Sequence, residues 1–260
     1  MEFKNIIFEQ QEDGLAIITL NRPKAYNALC TELNDDLEAA LDILEADPKV
    51  RALIVTGGSK VFAAGADIAE MMNADPIEAY RIVSSAHHLH DRLEGLPIPT
   101  IAAMNGPAFG GGCELSLAFD FRIAGEGSLF GLPEITLGVF PGGGGTQRLA
   151  NLIGASRAKE MIFMGKPVKA EKALAIGLVN TVVADADVLE EAKKLAAKLI
   201  EKPAVALKYA KESINCGVNM GQEAGKELEK TRFAMVCSTQ DQKEGMKAFV
   251  EKRKPVFINK

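Results

Sequence analysis

Two stretches of the sequence place a glutamate close to a run of glycines. Residues 106–115 read GPAFGGGCEL, with Glu114 after the glycines, and residues 132–148 read LPEITLGVFPGGGGTQR, with Glu134 after a proline. Two carboxyl groups in a partly apolar pocket can divide the roles of general acid and general base. Proton transfer is therefore the chemistry that these residue types offer. A tight turn at the glycines, a helix-dipole role for Glu114 and a solvated turn carboxylate for Glu134 are the plainer alternatives.

A third stretch, FAAGADIAEM at 62–71, offers backbone rather than reactive side chains. Small residues let a ligand approach the main chain closely, and N–H groups at the start of a helix lack a partner and favour negative charge. The amides of Ala66 and Gly111 could converge into an oxyanion hole for a carbonyl that gains charge during a reaction. Asp67 and Glu70 have the spacing of a capping box, so helix capping is the expected role of Asp67.

Other chemistries find little support in the sequence. Neither G-x-x-x-x-G-K-[ST] nor G-x-G-x-x-G occurs, so the fingerprints of a P-loop and of a Rossmann dinucleotide site are both absent. His87, His88 and His90 lie on one predicted helix. Only His87 and His90 share a face, and since no acidic or histidine partner completes a site there, no metal is expected. Cys113 could be a nucleophile because it lies near a helix N-terminus, but a free cysteine is more often simply buried.

The elements that must position these residues follow from hydrophobic spacing. Strands are predicted at 15–20, 51–58, 99–106 and 120–125, and helices at 31–45, with Thr31 as N-cap, at 76–93 and at 113–119. This alternation is typical of an α/β fold. A short helix and a short strand separate Glu114 from Glu134, so the chain can return to the same edge and bring the two carboxyls together.

The last third of the chain has a different pattern. Ala-, Lys- and Glu-rich segments at 187–200, 204–215, 221–236 and 239–253 predict a helical C-terminal region. The sequence alone leaves open whether this region folds over its own core or over a neighbouring subunit.

Composition restricts the possible partners and compartment. The net charge of −5 gives no electrostatic reason to expect a nucleic-acid partner. The four cysteines form no CxxC pair, the N-terminus has no signal-peptide pattern, and no apolar run is long enough to cross a bilayer. A soluble cytoplasmic protein is therefore expected.

Several motifs together resemble the enoyl-CoA hydratase (crotonase) family. They are NRPKAYNAL, FAAGADIAEM, NGPAFGGGCELSLAFDFRIA, FGLPEITLGVFPGGGGTQRL and EGMKAFVEKRKP, which cover essentially the whole chain. The resemblance implies a crotonase-like spiral of ββα repeats over residues 1–195, with the CoA and catalytic site. It also implies a helical trimerisation region over 196–260 and assembly as a trimer or a dimer of trimers. The wording of the motifs is most similar to the short-chain hydratases of this family.

The resemblance also implies roles for individual residues. Glu114 would deprotonate water for attack at C3 and Glu134 would supply the C2 proton, while Ala66 and Gly111 would bind the thioester oxygen. The CoA part of the substrate would lie on the backbone of Ala64, Ala66, Asp67, Ile68 and Gly111, with Lys24 as a candidate for its phosphates. No separate cofactor is implied. Many members of the family have a lysine where this chain has Ala69, so a phosphate contact at that position is lost.

The implied reaction is the reversible syn hydration of a short-chain trans-2-enoyl-CoA to a (3S)-3-hydroxyacyl-CoA, a lyase reaction of β-oxidation and butyrate metabolism. One alternative is an enoyl-CoA isomerase or another acyl-CoA lyase on the same fold. The presence of both glutamates favours hydration over this alternative, because isomerases of the family typically keep only one carboxylate, near the Glu134 position. An RNA-binding relative is the alternative from another class, and the acidic net charge is against it.

Overall fold

The computed structural model describes residues 3–259 of the chain. In that range the strands are β1 (Ile6–Gln10), β2 (Leu15–Leu20), β3 (Ala52–Thr56), β4 (Thr100–Met104), β5 (Pro107–Phe109), β6 (Phe121–Gly125), β7 (Leu129–Gly131), β8 (Val168–Lys169) and β9 (Thr181–Val183). A six-stranded sheet has the order β1-β2-β3-β4-β6-β9, and a three-stranded sheet has the order β5-β7-β8. From β2 to β9 the large sheet is parallel, and β1 pairs antiparallel with β2.

The helices in the described range lie between these strands and after them. They are α1 (Thr31–Ala46), α2 (Ile68–Met71), α3 (Pro76–Gly95), α4 (Gly111–Leu117), α5 (Gly145–Ile153), α6 (Ala155–Met164), α7 (Ala170–Ala175), α8 (Val188–Ile200), α9 (Ala204–Met220), α10 (Gln222–Val236) and α11 (Gln240–Glu251). One-turn 3₁₀ helices lie at Pro23–Ala25, Glu134–Leu137 and Asp185–Asp187.

The central strands of the large sheet are buried on both faces. Every residue of β3, which reads ALIVT, and of β4, which reads TIAAM, is buried. Leu53 and Val55 of β3 belong to the larger core cluster, which includes residues of α1 and α3. Ala52 and Ile54 face the other way and join a second cluster with Val188 of α8. Coverage of both faces by helices is what allows a parallel sheet to be apolar along its whole length.

The C-terminal helices form an arm beside this core. Gly217 of α9 and Gly225 of α10 lie at the closest approach of the two helices, because a Cβ built on Gly225 would be 2.7 Å from the Gly217 Cα. Lys211 of α9 attaches the arm to the core, since its Nζ lies 2.9 Å from the carboxylate of Asp120 and 3.1 Å from the carbonyl oxygen of Ile98.

The predicted α/β fold with a C-terminal helical region is confirmed, and the predicted elements are present with ends shifted by a few residues. The prediction of Thr31 as N-cap is wrong, because Cys30 has the N-cap position and Thr31 is the first residue of α1. The proposed boundary between residues 195 and 196 falls inside α8 and stays a prediction. No helix within residues 3–259 is long and apolar enough to cross a membrane.

Candidate active site

The glycine-rich stretches meet because they follow neighbouring parallel strands. The segments after β3, β4 and β6 all leave the same edge of the large sheet, where parallel α/β folds usually place their sites. The small sheet then aligns them. Ala63 pairs with Ala108 of β5, and Phe109 of β5 pairs with Gly131 of β7. The residues that come directly after these pairs therefore lie side by side.

The amides of Ala66 and Gly111 lie next to each other in this arrangement. Leu29 donates to the carbonyl of Gly65 at 2.8 Å and accepts from the amide of Asp67 at 2.7 Å, so the amide of Ala66 between them points away from Leu29. A Cβ built on Gly111 would be 3.3 Å from the nitrogen of Ala66. Within residues 3–259 neither amide donates a hydrogen bond. The geometry brings these two predicted residues together, and their role as an oxyanion hole stays a prediction.

Gly110 connects the amide pair to Glu134. Its φ of +49° is in the range that L side chains rarely adopt, and a Cβ built on it would be 3.3 Å from the Glu134 Oε1. Its N–H donates to the carbonyl of Gly131 in β7 at 2.9 Å. The glycine is thus required both by the turn into α4 and by the close passage of the glutamate.

Glu114 is buried in the first turn of α4, with 4% of its surface exposed. Its Oε1 accepts hydrogen bonds from the amides of Gly143 at 2.8 Å and Gly145 at 2.7 Å. Burial raises the pKa of Glu114 to about 7, and the nearby charge of Glu134 raises this pKa further, while the two amides and Arg148 oppose the shift. A carboxyl with a pKa near neutrality is suited to general acid or base chemistry.

Glu134 lies next to Gly110, at the start of the Glu134–Leu137 turn. Burial raises the pKa of this half-buried carboxyl above its usual range. Its Oε2 is buried without a hydrogen-bond partner among the described residues. The two glutamates interact electrostatically, since the charge of Glu134 also contributes to the raised pKa of Glu114. This interaction supports the predicted proximity of the two carboxyls, which stays a prediction.

Helix α3 contacts the glycine run at 142–145. The sequence did not predict this contact. The Nδ1 of His90 is 2.8 Å from the carbonyl oxygen of Gly143, and a Cβ built on Gly142 would be 3.2 Å from Val83. Arg148 of α5 pairs with Asp91 and Glu94 of α3 at 2.5 and 2.8 Å. The spacing of these α3 residues on one helix face is the signal that could have found them.

The predicted CoA-binding residues line the start of α2 or lie nearby. Asp67 caps α2 by accepting from the Ala69 amide at 3.2 Å, as expected, and it also pairs with Arg22 at 3.2 Å. Ala64 and Ile68 are exposed, and so is Lys24 on the Pro23–Ala25 turn. All of these CoA contacts stay predictions.

Two other residues, Asn27 and Glu70, connect the loop between β3 and α2 to the segment around the start of α1. Asn27 adopts a positive φ of 56° and its side-chain amide donates to the carbonyls of Gly57, Val61 and Phe62, at 3.1–3.2 Å. Glu70 does not complete the capping box through its side chain, which instead accepts from the amide of Thr31 at 3.0 Å. The loop is thus attached to the segment that precedes α1.

The alternative chemistries do not gain support. Cys113 is fully buried, and burial together with the charges of Glu114 and Glu134 raises its pKa to about 12, so the thiolate is disfavoured. Among the residues that the structure describes, no group of three His, Cys, Asp or Glu side chains could hold a metal ion.

The family signature described as enoyl-CoA hydratase/isomerase matches residues 10–260. The chain belongs to this family. It is 43% identical over 261 residues to the crotonyl-CoA hydratase of Syntrophomonas wolfei, with all of both chains covered. It is also 44% identical over 255 residues to the short-chain-enoyl-CoA hydratase of Clostridium acetobutylicum, with 98% of this chain and 97% of that protein covered.

Solved structures of family members share the fold. Enoyl-CoA hydratase subunit I of Geobacillus kaustophilus superposes with a TM-score of 0.95 at 42% identity, and each chain is covered completely. Enoyl-CoA hydratase of Bacillus anthracis superposes with a TM-score of 0.93 at 39% identity, covering 99% of this chain and 100% of that one. The expected crotonase-like fold is confirmed, as is the expectation of an enzyme of the lyase class that belongs to lipid metabolism.

Proposed function

We propose that this enzyme catalyses the reversible syn hydration of short-chain trans-2-enoyl-CoA thioesters to (3S)-3-hydroxyacyl-CoA. The observation that carries the proposal is a pair of carboxyls, both with raised pKa values, in the same glycine-rich cluster as two adjacent amides that donate no hydrogen bond within residues 3–259. Proton transfer at a carbon next to a carbonyl requires an acid, a base and stabilisation of the charge on the carbonyl oxygen. This site offers all three within one cluster.

In the proposed mechanism the thioester oxygen accepts hydrogen bonds from the amides of Ala66 and Gly111. Ionised Glu114 takes a proton from a water molecule while the oxygen of that water bonds to C3. The electron pair of the double bond moves toward C2. Neutral Glu134 then gives its proton to C2. The product gains OH at C3 and H at C2, Glu114 ends protonated and Glu134 ionised, and exchange of one proton with solvent restores the enzyme.

The electrostatics of the site couple the two carboxyls, because the charge of Glu134 helps to raise the pKa of Glu114. Two neighbouring carboxyls whose charges interact tend to share a single proton, and such a pair titrates as a unit. The active form in our proposal is the singly protonated pair. We therefore expect a bell-shaped dependence of kcat/KM on pH, in which activity falls when the pair gains a second proton and when it loses the first.

The direct test follows the loss of enoyl-thioester absorbance with crotonyl-CoA. We expect Glu114→Gln and Glu134→Gln each to reduce kcat by about 10²–10⁴-fold, because each removes a general acid or base. Glu126→Gln is the matched control, since Glu126 is an exposed glutamate on the turn after β6. Near-normal turnover in either site variant would reject the role assigned to that residue.

A second substrate distinguishes hydration from isomerisation. A 3-enoyl-CoA offered to the enzyme would gain enoyl-thioester absorbance if the enzyme moved the double bond without adding water. We expect little such activity compared with the hydration of crotonyl-CoA. A faster reaction with the 3-enoyl substrate would favour the isomerase instead.

Short acyl chains are proposed because of the names of the two bacterial relatives, crotonyl-CoA hydratase and short-chain-enoyl-CoA hydratase. A series of trans-2-enoyl-CoA substrates of increasing length tests this, and we expect kcat/KM to fall as the chain lengthens. No separate cofactor takes part in the proposal, since the two carboxyls and two amides account for every proton and charge. Activity that persists after dialysis against a chelator is the expected result.

Assembly into trimers or a dimer of trimers also belongs to the proposal. The arm exposes large apolar side chains that a second subunit could cover, such as Phe233, Phe249 and Val250, which are 68%, 84% and 79% exposed. Light scattering coupled to size-exclusion chromatography tests this, and a monomer at micromolar concentration would contradict it.

A further inference from the structure

The glycine run that holds Glu114 is itself held by a buried histidine. His90 is 1% exposed, and its Nδ1 is 2.8 Å from the carbonyl oxygen of Gly143. A carbonyl oxygen can only accept, so Nδ1 must carry the proton and Nε2 must be the unprotonated nitrogen. Nε2 is buried without a partner among the described residues. The imidazole therefore makes one directed hydrogen bond, and this bond goes to the run that cradles Glu114.

The hydrogen bond from His90 matters because of its position along the backbone, between the two amides that bind Glu114. The Glu114 carboxylate accepts from the amides of Gly143 and Gly145. The peptide unit between these two donors carries the Gly143 carbonyl, which His90 holds. Successive glycines can rotate a peptide unit at little cost, and Gly144 has a φ of +102°. A rotation of the middle unit would turn the flanking amides away from the carboxylate.

Close packing restricts the same place. A Cβ built on Gly143 would be 2.8 Å from the Glu114 Oε2 and 3.2 Å from the His90 Cε1. The Gly143 backbone is thus sandwiched between the carboxylate and the imidazole. Burial also lowers the pKa of His90 to about 4, with Arg148 and His87 acting in the same direction and the Gly143 carbonyl and Asp91 opposing. The ring therefore stays neutral and adds no charge beside the acid pair.

We propose that His90 is a positioning residue, whose Nδ1–H fixes the Gly143 peptide and thereby keeps Glu114 in place for proton transfer. This inference rests on the proposed function of Glu114. The groups that face Glu114 are Glu134, Arg148 and the amides of the glycine run. Of the residues that touch the run from α3, His90 alone donates a hydrogen bond to it among those described.

The test compares two replacements of His90 that fill similar space. His90→Leu removes the donor, whereas His90→Asn retains an N–H donor at nearly the position of Nδ1. We expect His90→Leu to lower kcat by about 10- to 100-fold with little change in KM, because small misplacements of a catalytic group are costly. We expect His90→Asn to restore most of kcat. His88→Leu is the matched control, since His88 is a neighbouring but exposed histidine of α3.

The pH profile gives a readout that a merely structural role would not move. The Gly143 amide lowers the pKa of Glu114, so weakening that bond in His90→Leu should move the acidic limb of kcat toward higher pH. Normal kcat in His90→Leu, an unmoved acidic limb, or equal damage in the Leu and Asn variants would each overturn the proposal. Should His90→Leu fail to fold, His90→Met, which also lacks a donor, takes its place with the same expectations.

Measuring Glu114→Gln in parallel separates this inference from the proposed function. An active Glu114→Gln variant would reject the role of the glutamate itself. An inactive Glu114→Gln variant together with a fully active His90→Leu variant would reject only the positioning role of His90.

Discussion

Glu114 and Glu134 share one site but are held by different kinds of backbone. Glu114 lies in a helix, is almost fully buried and accepts two hydrogen bonds from the 142–145 run. Glu134 lies in a one-turn 3₁₀ helix, is half-buried and has an Oε2 without a partner in the described range. Burial raises the pKa of both carboxyls, and at Glu114 the two amides oppose this shift only in part, since its pKa is still about 7.

The difference in hydrogen bonding agrees with the roles proposed for the two residues. A base that must be ionised benefits from hydrogen bonds that partly offset the cost of burying its charge. An acid that must be neutral needs no such donors, and an unpartnered oxygen remains free to approach a substrate. Each prediction that follows either removes the difference between the two surroundings or measures its size.

The largest effect on kcat is expected from a substitution that crowds the carboxylate of Glu114 and leaves Glu134 unchanged. Gly143→Ala would place a methyl group 2.8 Å from the Glu114 Oε2, closer than a Cβ contact allows. We expect kcat with crotonyl-CoA to fall by about 100-fold or more, because the carboxylate must leave its position. Gly95→Ala is the control, since a Cβ there has no neighbour within 4 Å. Equal activity in the two alanine variants would show that the 142–145 run does not position Glu114.

A smaller effect concerns stability and its dependence on pH. The folded state holds the Glu114 proton more tightly than the unfolded state, whose carboxyl has its ordinary pKa of 4.5. Ionised Glu114 therefore lowers the free energy of unfolding progressively as the pH rises from about 4.5 to about 7. We expect Glu114→Gln to be more stable than the unmodified protein at pH 8, by about 1–3 kcal/mol, and the gain to shrink at pH 5.

Urea denaturation at the two pH values measures this gain. Glu134→Gln is the comparison, and we expect it to change stability less, because its carboxyl is only half-buried. A Glu114→Gln protein that is less stable than the parent at pH 8 would mean that the two amides outweigh the cost of burial.

The smallest effect is a shift in one pKa. The charge of Glu134 helps to raise the pKa of Glu114, so Glu134→Gln should lower the pKa of Glu114. Carboxyl ¹³C NMR titration of Glu114 measures this, with Glu126→Gln as the control that leaves the pKa unchanged. An unshifted Glu114 in the Glu134→Gln protein would show that the two carboxyls do not share a proton, and would remove the basis for a singly protonated pair.

Short elements and long-range contacts were beyond prediction from the sequence. The small sheet consists of strands of three, three and two residues, which are too short to show an alternating pattern. It nevertheless aligns the glycine stretches. The N-cap of α1 is Cys30 and not the predicted Thr31. The amide and hydroxyl of Thr31 instead donate to Glu70, which comes from a different loop.

The sequence by itself determined the alternation of strands and helices, the helical C-terminal region, and Glu114, Glu134, Ala66 and Gly111 as the candidate site. These features follow from local sequence, because the spacing of hydrophobic residues, the glycine runs and the nearby acidic residues can each be recognised within a short stretch of the chain. Only the tertiary structure decided that His90 and Arg148 support the 142–145 run. His90 and Gly143 are 53 positions apart in the chain, and their contact exists because α3 packs against that run, which no local pattern encodes.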